Sequence, residues 1–170
     1  MPLDPKQTQG LKKIDSDFLR VIDKYGWHVM SVAPLVGQKG DIWSYSSGLF
    51  YHFKHPEIIV LGQSIDLMRT MINVIGDRVR AGETFSPGRG FAGIIDNYDC
   101  QFRAVHSSQY WNYVNFACWF YDGDETSFPL LQCFWPDMKA KFPWQHGCAK
   151  WAVNAQPLLY KSVPKNQSSC

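Results

Sequence analysis

The chain has no C-x-x-C pair, no G-x-S-x-G, no block of like charge and no apolar run near the length of a membrane span. The missing span argues against a transmembrane segment, and the missing basic stripe argues against nucleic acid or a membrane surface as partner. Formal net charge is only +2 over 170 residues, so no strong electrostatic steering is expected. The five cysteines (Cys100, Cys118, Cys133, Cys148, Cys170) are an odd number without paired spacing, which suits thiols kept reduced. With a polar N-terminus that carries no signal-peptide pattern, the expected compartment is the cytoplasm. What the chain does have is aromatic bulk: 7 Trp, 8 Tyr and 11 Phe, enough for large rings to dominate the core and any exposed site.

The length fits one domain, with no repeat and no linker. Residues 1–10 read as a flexible arm, 11–147 as a single domain, and 148–170 as a partly disordered tail. A helix is expected over Leu11–Tyr25, ended by Gly26. Strands follow at Trp27–Val32 and Ile42–Ser46 as a hairpin, then a continuously apolar, two-sided strand at Ile58–Leu61. The clearest helix is Ile65–Ala81, capped by Ser64, with Met68, Ile72, Ile75 and Val79 toward the core. Asp66, Arg69, Asn73, Asp77 and Arg80 face away. Beyond a Gly/Pro loop at Glu83–Gly93, a hairpin turning at Asp96-Asn97 is expected, then a helix at Gln109–Tyr121. An acidic turn at Asp122–Glu125 and a last strand at Pro129–Trp135 complete the pattern. Together these give an α+β fold, helices packed on a largely antiparallel sheet.

Four groups could carry chemistry. His52, His55 and Glu57, with His106, could form an acid/base set, because imidazole and carboxylate exchange protons near neutrality. His52, His55, His146 and Cys148 could bind a metal only if the fold gathered them. Their spacing is not that of a zinc site, so no metal and no cofactor are expected. The simpler reading makes His52 and His106 half-exposed and has His55 bond the backbone at a turn. The Gly-rich loop could cradle phosphate, but it follows a helix C-terminus, the wrong end of the dipole, and reads as a surface loop. Cys100, Cys118 and Cys133 fall in regular elements and read as small buried apolar residues. Gln132, alone in an apolar strand, must find partners or face a ligand, while Asp137 after Trp135-Pro136 can cap a turn.

The order Gly48-Leu49, His55-Pro56-Glu57, His106 with Tyr110, Phe120-Tyr121, Gln132, Trp135-Pro136-Asp137 and Phe142-Pro143-Trp144 resembles an uncharacterised bacterial family, domain of unknown function 4262. The likeness runs from about Gly26 to Trp144. It implies a compact bacterial α+β domain and no established activity. The G-L…H-P-E pattern alone is also similar to suppressor-of-fused-like domains, which are protein-binding modules, some of them immunity proteins.

Two functions of different classes follow. One is a binding module that meets a partner protein or small polar ligand through an aromatic-lined polar groove of Tyr51, His52, Tyr110, Gln132, Trp135 and Asp137. The other is a small hydrolase or proton-transfer enzyme working with His55, Glu57 and His106. Both assume that His55, Glu57, His106, Gln132 and Asp137 converge, since isolated polar groups are costly to bury. The balance favours binding; the oligomeric state is left open.

Overall fold

The computed structural model describes residues 16–121 and 127–164. The expected N-terminal arm, the start of the first helix, the acidic turn and the last six residues of the tail lie outside them. The elements are α1 (helical over residues 16–25), β1 (His28–Val32), β2 (Trp43–Ser47), α2 (Leu49–Phe53), β3 (Glu57–Leu61) and α3 (Ile65–Arg80). There follow β4 (Gly90–Ile95), β5 (Tyr98–Ala104), a 3-10 turn at Ser107–Gln109, α4 (Tyr110–Tyr113), α5 (Asn115–Phe120), β6 (Leu130–Phe134) and α6 (Lys150–Ala155).

One six-stranded sheet runs in the order β1-β2-β3-β6-β5-β4. Every neighbouring pair is antiparallel except β3 with β6. The sheet is thus two three-stranded meanders joined through their parallel inner strands, an α+β fold as the sequence predicts. All five residues of β3 and of β6 are buried, which is why both strands read as near-continuous apolar runs.

Two cores result. On one face, α3 lays Met68, Met71, Ile72, Ile75 and Val79 on Ile58, Val60, Phe102 and Cys133. On the other, α4 and α5 bring Tyr110, Val114, Ala117 and Cys118 against Tyr45, Ile59 and Leu61. Ser64 caps α3, its Oγ accepting the Leu67 N–H at 3.2 Å. Among the described residues no helix is long and apolar enough to cross a membrane.

Three elements differ from expectation. The connector after β2 is the short helix α2, which Gly48 makes possible: its φ is +118°, and a Cβ there would sit 2.7 Å from the Gly26 carbonyl oxygen. The helix expected over Gln109–Tyr121 is a 3-10 turn and two short helices, interrupted at Val114, whose φ of −130° is not helical. Residues 148–164 extend the domain beyond 147: Ala152, Gln156 and Leu159 are buried. Their apolar positions are too few and too broken by Pro157 and Pro164 to show a period.

Candidate functional site

Glu57 enters β3 with its side chain fully buried. Its Oε1 accepts the backbone N–H of Gly48 at 2.7 Å and of Phe50 at 3.2 Å, and the Tyr121 hydroxyl at 2.5 Å. Its Oε2 accepts the Ser46 hydroxyl at 2.5 Å. Burial pushes the carboxyl above its ordinary value, and the four donors pull against that. Ser46 Oγ also accepts the Ile58 N–H, and the Tyr121 hydroxyl accepts the Tyr51 N–H. The network fastens β2, α2, β3 and Tyr121 together. No face of the carboxylate is left for a substrate.

His55 is occupied in the same way. Its Nδ1 lies 2.8 Å from the Pro56 carbonyl, and its Nε2 accepts the Phe85 N–H at 3.0 Å, which requires a neutral ring donating from Nδ1. Burial holds its pKa below the ordinary histidine value. His55 stacks edge-on to Phe85 in the α3-side core, whereas Glu57 meets α2 and Tyr121. The two side chains do not address a common point.

Gln132, on β6, donates from Nε2 to the Pro157 carbonyl at 2.8 Å and accepts the Leu159 N–H at 3.0 Å. It holds the extended segment after α6 as a strand partner would. Asp137, past the C-terminal end of β6, accepts the N–H groups of Ala149, Lys139 and Lys141. The bonds from Ala149 and Lys141 do most to hold its carboxyl below the usual range. Trp135 is buried and donates to the Leu61 carbonyl at 2.8 Å; Tyr110 is buried and donates to the Phe128 carbonyl at 3.1 Å. His106 is exposed, its Nδ1 accepting the Ser108 N–H at the start of the 3-10 turn. Tyr51 and His52 stand exposed on α2, ring edge to ring face.

The five polar residues expected to converge are therefore dispersed. Glu57 and His55 sit at the N-terminal end of the parallel pair, Asp137 beyond its C-terminal end, Gln132 within it, and His106 on the surface. The physical reason is that each meets backbone groups a loop or strand end would otherwise leave unpaired, so each is satisfied locally. The residues expected to line one groove do not form it: Tyr110, Gln132 and Trp135 are core, and Asp137 borders a separate surface hollow with Met138, Lys139 and Trp151. Among the described residues no three His, Cys, Asp or Glu side chains gather closely enough to hold an ion. Cys100, Cys118 and Cys133 are buried and outside any disulfide, and Cys148 is half-buried.

The surface does hold a concavity elsewhere. A cleft of about 470 Å³ lies between α1, the outer edge of β1 and the polar face of α3. Its floor is Trp27, whose indole N–H donates to Asn73 Oδ1 at 3.0 Å and whose ring lies 4.6 Å below the Arg80 guanidinium. Arg80 also donates to the Tyr25 carbonyl and reaches Asp77 at 3.4 Å. Arg69 is exposed and makes no ion pair among the described residues. His28 contributes the one buried histidine nitrogen without a partner among the described residues, Nδ1. Its ring packs 4.7 Å from that of Phe18, and burial, then Arg69, lower its pKa. The spacing of Arg69, Asn73, Asp77 and Arg80 places them on the outer face of α3 but does not mark a cleft. The signal that could have found the cleft is the Gly26-Trp27-His28 run, a large ring and an imidazole beginning an edge strand next to that face.

A family model described as Domain of unknown function (DUF4262) matches residues 21–149. No curated protein and no solved structure matches the chain.

Proposed function

We propose that this chain, which belongs to the domain of unknown function 4262 family, is a binding module whose recognition surface is the cleft between α1, β1 and α3. The observation that carries the reading is the contrast between two sets of polar groups. His55, Glu57, Gln132 and Asp137 spend their hydrogen-bonding capacity on backbone and neighbouring side chains. Arg69, exposed at the cleft and without an ion pair among the described residues, does not. Unspent polar capacity beside an aromatic floor is what recognition of a partner uses. An acid/base enzyme would need His55, Glu57 or His106 within reach of one substrate atom, and nothing in their placement favours that.

The partner is a protein. A toxin, the immunity-type version of this reading, would have to present acidic groups to Arg69 and Arg80. The buried thiols Cys100, Cys118 and Cys133 fit a reducing cytoplasm, which is the compartment proposed.

Selection of a random peptide library on the full chain tests the reading. Selected peptides should compete with one another and lose at least about tenfold in affinity against Arg69→Glu and Asn73→Trp, with the melting temperature of Arg69→Glu unchanged. Peptides that bind both variants as tightly as the unaltered chain would place recognition elsewhere.

A further inference from the structure

The two edges of the sheet are built differently. At β4 the edge is spoiled: the strand is Gly90-Phe91-Ala92-Gly93-Ile94-Ile95, Gly93 has φ +80°, and the register slips between Phe91 and Ile95. Such irregularities keep an edge from accepting another strand. At β1 there is none of this. His28-Val29-Met30-Ser31-Val32 pairs residue for residue with β2 over five positions, without Pro, Gly, bulge or formal charge, and every residue is half-buried. No described strand pairs with its outer side. Main-chain donors and acceptors in a regular, unguarded edge are a template for one more strand.

The cleft opens at the start of that strand, lined there by Trp27, His28 and Val29, and its α3 wall selects what could lie beside it. Arg69 and Arg80 supply two cations against Asp77, and Asp77 is already within 3.4 Å of Arg80. Arg69 is left facing the cleft with its charge unmatched among the described residues. A second copy of this chain pairing through β1 would bring no acidic side chain, because the strand has none, and would set two such cationic walls together. An extended segment with carboxylates on one side meets both requirements.

We propose that the outer edge of β1 accepts, as a seventh strand of the sheet, an extended acidic segment of a partner protein whose carboxylates face Arg69 and Arg80. This rests on the cleft being the recognition surface and adds the mode and chemical class of its occupant. Backbone bonding to β1 supplies register, and the cationic wall supplies sign.

The test uses the full chain and three synthetic heptapeptides: Thr-Val-Glu-Val-Glu-Val-Thr, the same sequence with Lys for Glu, and the Glu peptide N-methylated on alternate amides. The readouts are affinity and amide-proton exchange at His28–Val32. The Glu peptide should slow exchange in β1 at least about tenfold, while the Lys and N-methylated peptides should not; Arg69→Glu should weaken the Glu peptide by about tenfold or more. Equal binding by the N-methylated peptide overturns strand addition, and equal binding by the Lys peptide overturns the acidic class. Resonance shifts at Arg69 and Asn73 without protection of β1 overturn the inference and leave the cleft as recognition surface. A Glu peptide that leaves β1 unchanged, while library-selected peptides bind the cleft, overturns the inference alone.

Discussion

Glu57 is a charged residue type with no water contact, and its meaning lies in its four donors rather than in its acidity. Each donor left unpaired in the core costs about 1–3 kcal/mol. Glu57→Ala should therefore destabilise the chain by about 3 kcal/mol or more, and Tyr121→Phe by about 1–3 kcal/mol, in denaturant unfolding. A Glu57→Ala variant of unchanged stability and altered binding would mean the carboxylate works at a surface after all.

His55 gives a pH test. Its folded-state pKa lies below the ordinary value of about 6.5, so below that pH the unfolded chain binds more protons than the native one. Stability from His55 is then present above about pH 6.5 and lost as pH falls. Glu57, with its pKa raised, acts in the opposite sense: its contribution is lost as pH rises. His55→Gln can still donate to Pro56 and accept from Phe85 but does not titrate, which isolates the histidine. The unaltered chain should lose more stability than His55→Gln between about pH 7.5 and 5.5. Parallel profiles would show that His55 protonates as freely in the native state as in the unfolded chain.

At the scale of the element, α3 depends on a glycine inside the helix. A Cβ at Gly76 would lie 2.4 Å from Trp27 Cζ2 and 2.5 Å from Cε2, and the Asn73 bond holds that ring in place. Alanine is the better helix former by about 1 kcal/mol, but forcing a core apart costs about 1–3 kcal/mol. Gly76→Ala should be destabilising overall, and because Trp27 floors the cleft it should weaken the selected peptides as well. A gain in stability would show that Trp27 moves without cost. Ile72→Ala, on the buried face of α3, should cost about 2–5 kcal/mol.

Elements whose signal is local were legible in the sequence. The expected helix over Ile65–Ala81 is observed as Ile65–Arg80, since Ser64 caps it and its apolar residues fall three and four apart. The hairpin at Asp96-Asn97 forms because Asn97 tolerates φ +67°. What stayed hidden depends on tertiary partners. Helix α2 has five residues, too few for a period, and is held by Glu57, Tyr121 and the conformation of Gly48. Gln156 was unreadable for the same reason: its amide exchanges hydrogen bonds with both backbone groups of Trp135, a pairing that exists only once the C-terminal segment has docked. For the candidate site, His55, Glu57, Gln132 and Asp137 were legible as buried polar groups needing partners. That the partners would be separate backbone segments was not.

Across the whole molecule, polar residues divide by where their partners lie. His55, Glu57, Gln132 and Asp137 close the fold on itself, while Arg69 at the α1–β1–α3 cleft is left to meet something else. The most direct measurement is a nitrogen–proton resonance map of the full chain titrated with a peptide selected from the library. The account predicts that the largest shifts fall on the indole of Trp27, on His28, on the side-chain amide of Asn73 and on the Arg69 guanidinium, with Gln132 unmoved. Largest shifts at Tyr51, His52 and His106, with Trp27 and Asn73 silent, would contradict it.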